Sequence, residues 1–388
     1  RPLEPTLVEA VPPLIVDAIV KAFNRAERPV ILCGPADVRS AMFVDSLATL
    51  SERAATPVLA ETTSQFRCWS QTRAIGGFDT IWRREAGRAS FRPDFVLQLG
   101  AAPISKGWEQ LSTDASIPRF VVHPWEWADP SSDAEAIVHA DIGSFVTALS
   151  RAEFHRSRRD GRFVQWFVDA EATVWRTADE ILTESGQPLS EPGVVRAVLD
   201  LAPNPSALFL GNSLPIRDAE TWAPPSEKLL VVHTQRGVSG IDGIVSNAAG
   251  VASSIDGATT LLVGDVSFLH DLNGLHLASR VEGPLVIVVI NNGGGRIFEH
   301  LPIAETEGQR WLPYFTTPHD TDLASASATY GCMHHRVTRL DELREALLRA
   351  YSSDGCSVVE AMVPKTSARD QQRELLRRVG ETLAAEGS

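Results

Sequence analysis

Two polar tips carry most of the chemistry this sequence could perform. Gly264-Asp265-Val266-Ser267 follows the apolar run Leu261-Leu262-Val263, and Asn291-Asn292 follows Val286 to Ile290. Asp265 and Asn292 stand 27 residues apart, each just beyond a run that reads as a buried strand. A carboxylate and an amide oxygen are hard donors, suited to a magnesium ion whose other ligands are phosphate oxygens. Glycines at Gly293, Gly294 and Gly295 let the backbone approach closely, so a main-chain carbonyl can complete the shell. The helix-like stretch from Phe268 to Ser279 would turn N–H groups toward a diphosphate. Ordinary turns also favour Gly, Asn and Asp, so neither tip means much alone. Their pairing at this spacing, each after a buried strand, points to a magnesium diphosphate site.

The elements around these tips read as parallel α/β structure. Pro29 to Gly34, Pro57 to Ala60, Phe95 to Gly100 and Arg119 to Val122 are short apolar runs in the first half, separated by helix-like stretches such as Ser40 to Ala54. Asp141-Ile142-Gly143-Ser144 leads into a further helix. Residues 153–184 are charged and helical in pattern, with Trp166, Phe167 and Trp175 as apolar anchors. The second half repeats the alternation with strands at Ala207 to Gly211, Leu229 to Val232, Thr260 to Gly264, Leu285 to Ile290 and Ser357 to Ala361. A charged helix closes the chain from about Ser367 to Ala385. Buried strands alternating with helices predict two doubly wound parallel sheets, and ligands in such sheets bind beyond the carboxyl ends of strands. The Pro/Gly-rich break from Gln187 to Gly193 sets the expected boundary, giving domains 1–187 and 188–388.

A chain of 388 residues can build two or three sizeable cores. Its net charge of −13 argues against general nucleic-acid binding. Cys33, Cys68, Cys332 and Cys356 form no CxxC pair, and reduced thiols in a cytoplasmic protein are the simplest reading. No apolar run approaches the roughly 20 residues of a membrane helix. The opening Arg1-Pro2-Leu3-Glu4-Pro5 lacks an initiator Met and reads as a linker entered from an upstream segment. His233, His270, His300, His319, His334 and His335 have no metal spacing, and none is singled out as catalytic; His334-His335 is expected just before a strand.

Three further segments narrow the family: Gly211-Asn212-Ser213-Leu214-Pro215-Ile216-Arg217-Asp218, then Gln235-Arg236-Gly237-Val238-Ser239-Gly240-Ile241-Asp242-Gly243, then Asn292-Gly293-Gly294-Gly295-Arg296-Ile297-Phe298. Together with the two tips they resemble the thiamine-diphosphate (ThDP) enzymes of menaquinone biosynthesis, the 2-succinyl-5-enolpyruvyl-6-hydroxy-3-cyclohexene-1-carboxylate synthases (MenD). The resemblance is specific from about Leu208 to Pro302; the first half is similar to that family's central, transhydrogenase-like domain. It implies a transferase that decarboxylates 2-oxoglutarate and joins the remaining carbons to isochorismate by conjugate addition. It implies Mg²⁺, or Mn²⁺, held by Asp265, Asn292 and the carbonyl of Gly294. ThDP would lie against Gly264, Asp265, Val266, Ser267, Asn292 and Gly294, with Ile241 as the wedge that bends it and Ile297 and Phe298 lining the thiazolium pocket. Ser213, Arg217, Arg236 and Lys106 would face the substrates, and arginine suits their carboxylates. The family works as a homo-dimer or tetramer and needs a pyrimidine-binding domain carrying an activating glutamate, which the resemblance places before the central domain.

Taken singly, several of these residues fit plainer roles. Ile241 suits core packing, Lys106 a solvated surface, Arg217 an ion pair with Asp218 or Glu220, and Ser213 a helix cap. Two other readings stay open: a ThDP enzyme of the acetolactate synthase type, and a ThDP-binding fragment without catalysis. A dinucleotide-binding fold is disfavoured, because no GxGxxG follows the first strand of either half.

Overall fold

The computed structural model describes residues 11–38, 41–69, 74–113, 117–184, 189–237, 239–305 and 310–386. The chain forms two compact units. One comprises Arg1–Trp175, Pro224–Glu227 and Arg378–Ser388; the other comprises Arg176–Ala223 and Lys228–Arg377. The first division falls inside the helix Phe163–Glu184, ahead of the Pro/Gly break at which a boundary was expected.

The first unit holds six strands: β1 (Pro29–Cys33), β2 (Val58–Ala60), β3 (Ala74–Ile75), β4 (Phe95–Leu99), β5 (Arg119–His123) and β6 (Ala136–His139). All pair in parallel, in the order β3-β2-β1-β4-β5-β6. Val30, Ile31 and Leu32 of β1 are wholly buried, as a central strand covered on both faces requires. Helices Pro13–Arg25, Ala41–Ala54 and Ile142–Ser150 pack on one face through Phe23, Leu47, Phe145 and Leu149.

The second unit repeats the design with β7 (Ser206–Leu210), β8 (Leu230–Thr234), β9 (Thr259–Gly264), β10 (Leu285–Asn291), β11 (Met333–Val337) and β12 (Cys356–Met362). Their order is β11-β12-β10-β9-β7-β8, again all parallel. β10 is buried along its whole length, and each of its Val and Ile side chains contributes roughly 1.5–3 kcal/mol by leaving water. The order reverses direction between β7 and β9, where a crevice opens at the carboxyl ends of such sheets.

Three expectations are corrected. The segment Glu153–Arg162 lies ahead of the helix Phe163–Glu184 rather than within it. Its arginines serve other helices: Arg159 donates to Phe23 O, Ala26 O and Ala54 O, and Arg156 Nε to Arg53 O, so they satisfy the open carbonyls at two helix ends. The stretch from Phe268 to Ser279 is not one helix. It splits into a helix Asp265–His270, a single turn Leu272–Gly274 and a short helix Leu275–Ala278. The break lets Asp271 receive the N–H and hydroxyl of Ser246 at 2.7 and 3.2 Å, and a side chain at Gly274 would strike that same Ser246. Finally, His334 and His335 lie inside β11, not before it. All four cysteines are free and buried, and no helix of the described residues is long and apolar enough to cross a membrane.

Candidate functional site

β9 and β10 are neighbours, with Gly264 opposite Ile290, so their polar tips emerge side by side. Gly264 is extended (φ −77°, ψ 158°), and a Cβ added there would meet nothing within 4 Å. Asp265 follows, only 2% exposed. Its Oδ1 accepts Val266 N at 2.7 Å, and its Oδ2 accepts Gly294 N at 2.9 Å. The second bond joins the two tips directly. His319 Nε2 stands 3.3 Å from the same Oδ2.

At the other tip, Asn291 and Asn292 turn to different partners. Asn291 donates to Glu360 Oε1 at 2.7 Å, and His334 Nε2 lies 3.0 Å from Oε2 of that glutamate. Asn292 presents its Nδ2 to both oxygens of Glu191, at 3.3 and 3.2 Å. Its Oδ1 is buried and accepts from no described residue. The loop that follows needs its glycines. Gly293 and Gly294 have φ of +72° and +138°, and a Cβ on Gly294 would overlap Thr316 O. Gly295 N donates to that Thr316 carbonyl at 2.7 Å. Arg296 pins the turn from outside, with Nε on Asn292 O, one terminal nitrogen on Gly293 O and the other on Glu299.

Burial pushes the Asp265 carboxyl up, against the N–H groups of Gly294 and Val266 and the nearby His319. Burial also pushes Glu191 up to about 7, with the Asp265 charge adding to the rise while the Asn292 amide and Arg296 oppose it. Asp218 is raised for the same reason, burial first and then the charge of Glu191. A cation beside Asp265 would oppose the rise of its carboxyl and of Glu191, which feels the Asp265 charge. The donors present are one carboxylate, one amide oxygen left over and main-chain carbonyls, a hard-oxygen set that fits Mg²⁺ or Mn²⁺. No group of three or more His, Cys, Asp and Glu is gathered for a metal among the described residues, which leaves the amide and carbonyl oxygens to do that work. The Gly294 carbonyl also accepts Arg296 N at 2.9 Å, which leaves one of its two lone pairs.

The other expected residues fall into two groups. Ser213 follows β7 with φ +75°, and its side chain caps nothing; its carbonyl accepts a guanidinium nitrogen of Arg217 at 2.7 Å. Asn212 Nδ2 reaches Gly240 O at 2.6 Å, tying the loop that carries Ser213 to the loop that carries Arg236 and Ile241. Arg236 is half-buried, and Ile241 packs partly against the core of Ile244, Val245 and Phe268. Val266 is half-buried and Ser267 buried in the helix Asp265–His270. Ile297 is half-buried and Phe298 exposed in the turn Arg296–His300, with the Phe298 ring 5.7 Å from Phe315. Lys106 lies in the first unit, exposed, opening the helix Lys106–Ser112. Sequence reasoning gave Glu191, Asn212, Arg296 and His319 no role. A glutamate at the first position of a helix is ordinary, so Glu191 carried no signal of its own.

Residues 231–361 match the family described as "Thiamine pyrophosphate enzyme, C-terminal TPP binding domain". Curated relatives named 2-succinyl-5-enolpyruvyl-6-hydroxy-3-cyclohexene-1-carboxylate synthase match nearly the whole chain. One from Sorangium cellulosum is 39% identical over 96% of this chain and 63% of its own length. One from Geobacillus kaustophilus is 33% identical over 97% of this chain and 64% of its own. The chain thus spans somewhat under two thirds of these relatives. A solved structure from Mycobacterium smegmatis, assigned as a thiamin diphosphate-dependent enzyme, shares the fold with a TM-score of 0.61 at 17% identity, covering 92% of this chain and 65% of that one. The resemblance read from the sequence and the two parallel α/β sheets are both borne out.

Proposed function

From this homology to the 2-succinyl-5-enolpyruvyl-6-hydroxy-3-cyclohexene-1-carboxylate synthases, we propose that the chain is the central and diphosphate-binding portion of such an enzyme, holding Mg²⁺ and ThDP at the tips of β9 and β10. The observation that supports the metal site is the buried Oδ1 of Asn292, without a partner among the described residues, on a tip joined to Asp265 by the Asp265–Gly294 hydrogen bond. A buried acceptor without a partner costs roughly 1–3 kcal/mol, and a cation would remove that cost. Asp265, Asn292 and the remaining lone pair of the Gly294 carbonyl would hold the ion. The open backbone at Gly264 and the N–H group at Ser267 would face the diphosphate, with Val266 beside them, while Ile241, Ile297 and Phe298 would supply apolar surface for the rings.

Bound ThDP supplies an electron sink for decarboxylating 2-oxoglutarate and joining its remaining carbons to isochorismate. The chain's own part is to bind and orient. Arg217 lies in the helix Leu214–Trp222, which leaves the Ser213 loop, and Arg236 on the loop that Asn212 ties to it, so both could hold carboxylates of one anionic substrate pair. Ser213 presents a hydroxyl that caps no helix in the same loop. A pyrimidine-binding domain, in a dimer or tetramer, would complete the activity.

Calorimetry of the chain with Mg²⁺ and ThDP tests the binding half. One-to-one binding that needs both components and is lost in Asp265→Asn is expected; binding indifferent to that change would overturn the site. With a pyrimidine-binding domain from a homologue added, turnover of 2-oxoglutarate with isochorismate is expected. Turnover of pyruvate alone would instead favour an acetolactate synthase type.

A further inference from the structure

We propose that Glu191 is a positioning residue for the metal site: it holds the Asn292 side-chain amide by its nitrogen, so that the oxygen, and not the NH₂ group, faces the cation. The inference rests on the metal site proposed above and concerns a residue that is not itself a ligand.

An amide side chain is nearly symmetric in shape but opposite in chemistry at its two ends. Rotated by half a turn, Asn292 would point two N–H donors at a divalent cation. Something must therefore fix its orientation. Asn292 is 6% exposed, and the only partners of its side chain among the described residues are the two oxygens of Glu191. Both oxygens lie at nearly equal distance from Nδ2, so the NH₂ group straddles the carboxylate. A carboxylate accepts and does not donate, and it rejects the flipped amide, which would set oxygen against oxygen.

Glu191 is itself firmly placed. It is 2% exposed, opens the helix Glu191–Leu201 behind a Ser190 cap, and its N–H donates to Ser367 Oγ at 3.2 Å. Burying a carboxylate here, with Asp218 and Asp265 close by, works against stability. A helix start favours an acid in its first turn, but a leucine would fill this buried space without the desolvation cost; what the carboxylate adds is its contact with the Asn292 amide. Partners behind a ligand commonly change metal affinity by ten- to a hundred-fold when removed.

The experiment is a double-mutant cycle read as Mn²⁺ affinity in the presence of ThDP, by electron paramagnetic resonance of free Mn²⁺, on the 388-residue chain. Glu191→Leu should weaken Mn²⁺ binding about tenfold. Asn292→Asp supplies a carboxylate whose two oxygens are equivalent, so its rotation no longer matters. In that background Glu191→Leu should cost nothing, and should even help by removing a like charge. Equal weakening in both backgrounds would mean that Glu191 merely supports the fold, and the proposal would fail while the metal site stood. No ThDP-dependent Mn²⁺ binding by the unaltered chain would remove the site and this inference together. Should Glu191→Leu not fold, as judged by circular dichroism, Glu191→Ala runs the same cycle with the same two outcomes.

Discussion

The two sheets share a plan and differ at their tips. In the first unit the carboxyl ends of the strands are closed by the chain itself. Glu61, wholly buried after β2, accepts Ile104 N at 2.7 Å and the Thr63 hydroxyl at 3.1 Å. Gly34, after β1, lies so near Ala101 O that no side chain would fit. In the second unit part of this end is left open. Gly264 borders empty space, and the Oδ1 atoms of Asn212 and Asn292 are buried with no described partner. The same parallel architecture is thus finished once as a packed body and once as a receptacle, and the distinction lies in a few loop residues rather than in the fold.

Substitutions can break that contrast or sharpen it. The largest effect should come from Asp265→Asn, with affinity for Mg²⁺ and ThDP falling by about a hundredfold or more by calorimetry, since a carboxylate at the cation is lost. Its urea midpoint without ligand should move little, because removing a buried charge offsets the loss of one acceptor for Val266 N or Gly294 N. A clear drop would mean that the open tip is in truth a closed one. Glu61→Leu should behave in the opposite way. Stranding Ile104 N costs roughly 1–3 kcal/mol of stability in urea unfolding, with cofactor affinity unchanged.

The glycines give a paired comparison. Gly294→Ala meets both a φ of +138° and the Thr316 carbonyl, so it should weaken metal binding about tenfold and also cost roughly 1–3 kcal/mol. Gly34→Ala should cost stability alone. The smallest expected effects concern pH. Burial pushes Glu171 of the first unit up, against hydrogen bonds from Trp175, Gly76 N and Gly77 N. Its contribution is whole below the unfolded value and drains away as pH rises through the higher folded one. Burial alone would also raise Glu360 of the second unit, but hydrogen bonds from His334 and Asn291 prevail and hold it low. It therefore contributes above the unfolded value, and that contribution is lost as pH falls through the lower folded one. Glu171→Gln should flatten the higher-pH limb and Glu360→Gln the acid limb, in urea midpoints taken from about pH 3 to 8.

What could be read from the sequence follows the same division. Central strands such as β1, β9 and β10 announce themselves as unbroken apolar runs. The strands β3, β6 and β11 do not: β3 has two residues, and β11 reads Met-His-His-Arg-Val at a sheet edge, where one side needs no apolar cover. Asp265 and Asn292 were legible because their types and spacing are chemical. Glu191 and His319 were not, because they lie 101 and 54 residues from the groups they touch, and no local pattern links them.

The carbonyl of Thr316 accepts Gly295 N and leaves no room beside Gly294. The glycine turn is therefore moulded by a stretch of chain arriving some twenty residues later. Whatever happens in between, with Trp311 and Tyr314 facing solvent, can change in length or sequence only if that one oxygen returns to its station. A segment beyond the Arg296–Glu299 pair could be swapped for another with the turn intact, whereas a shift of register at position 316 would deform it from a distance.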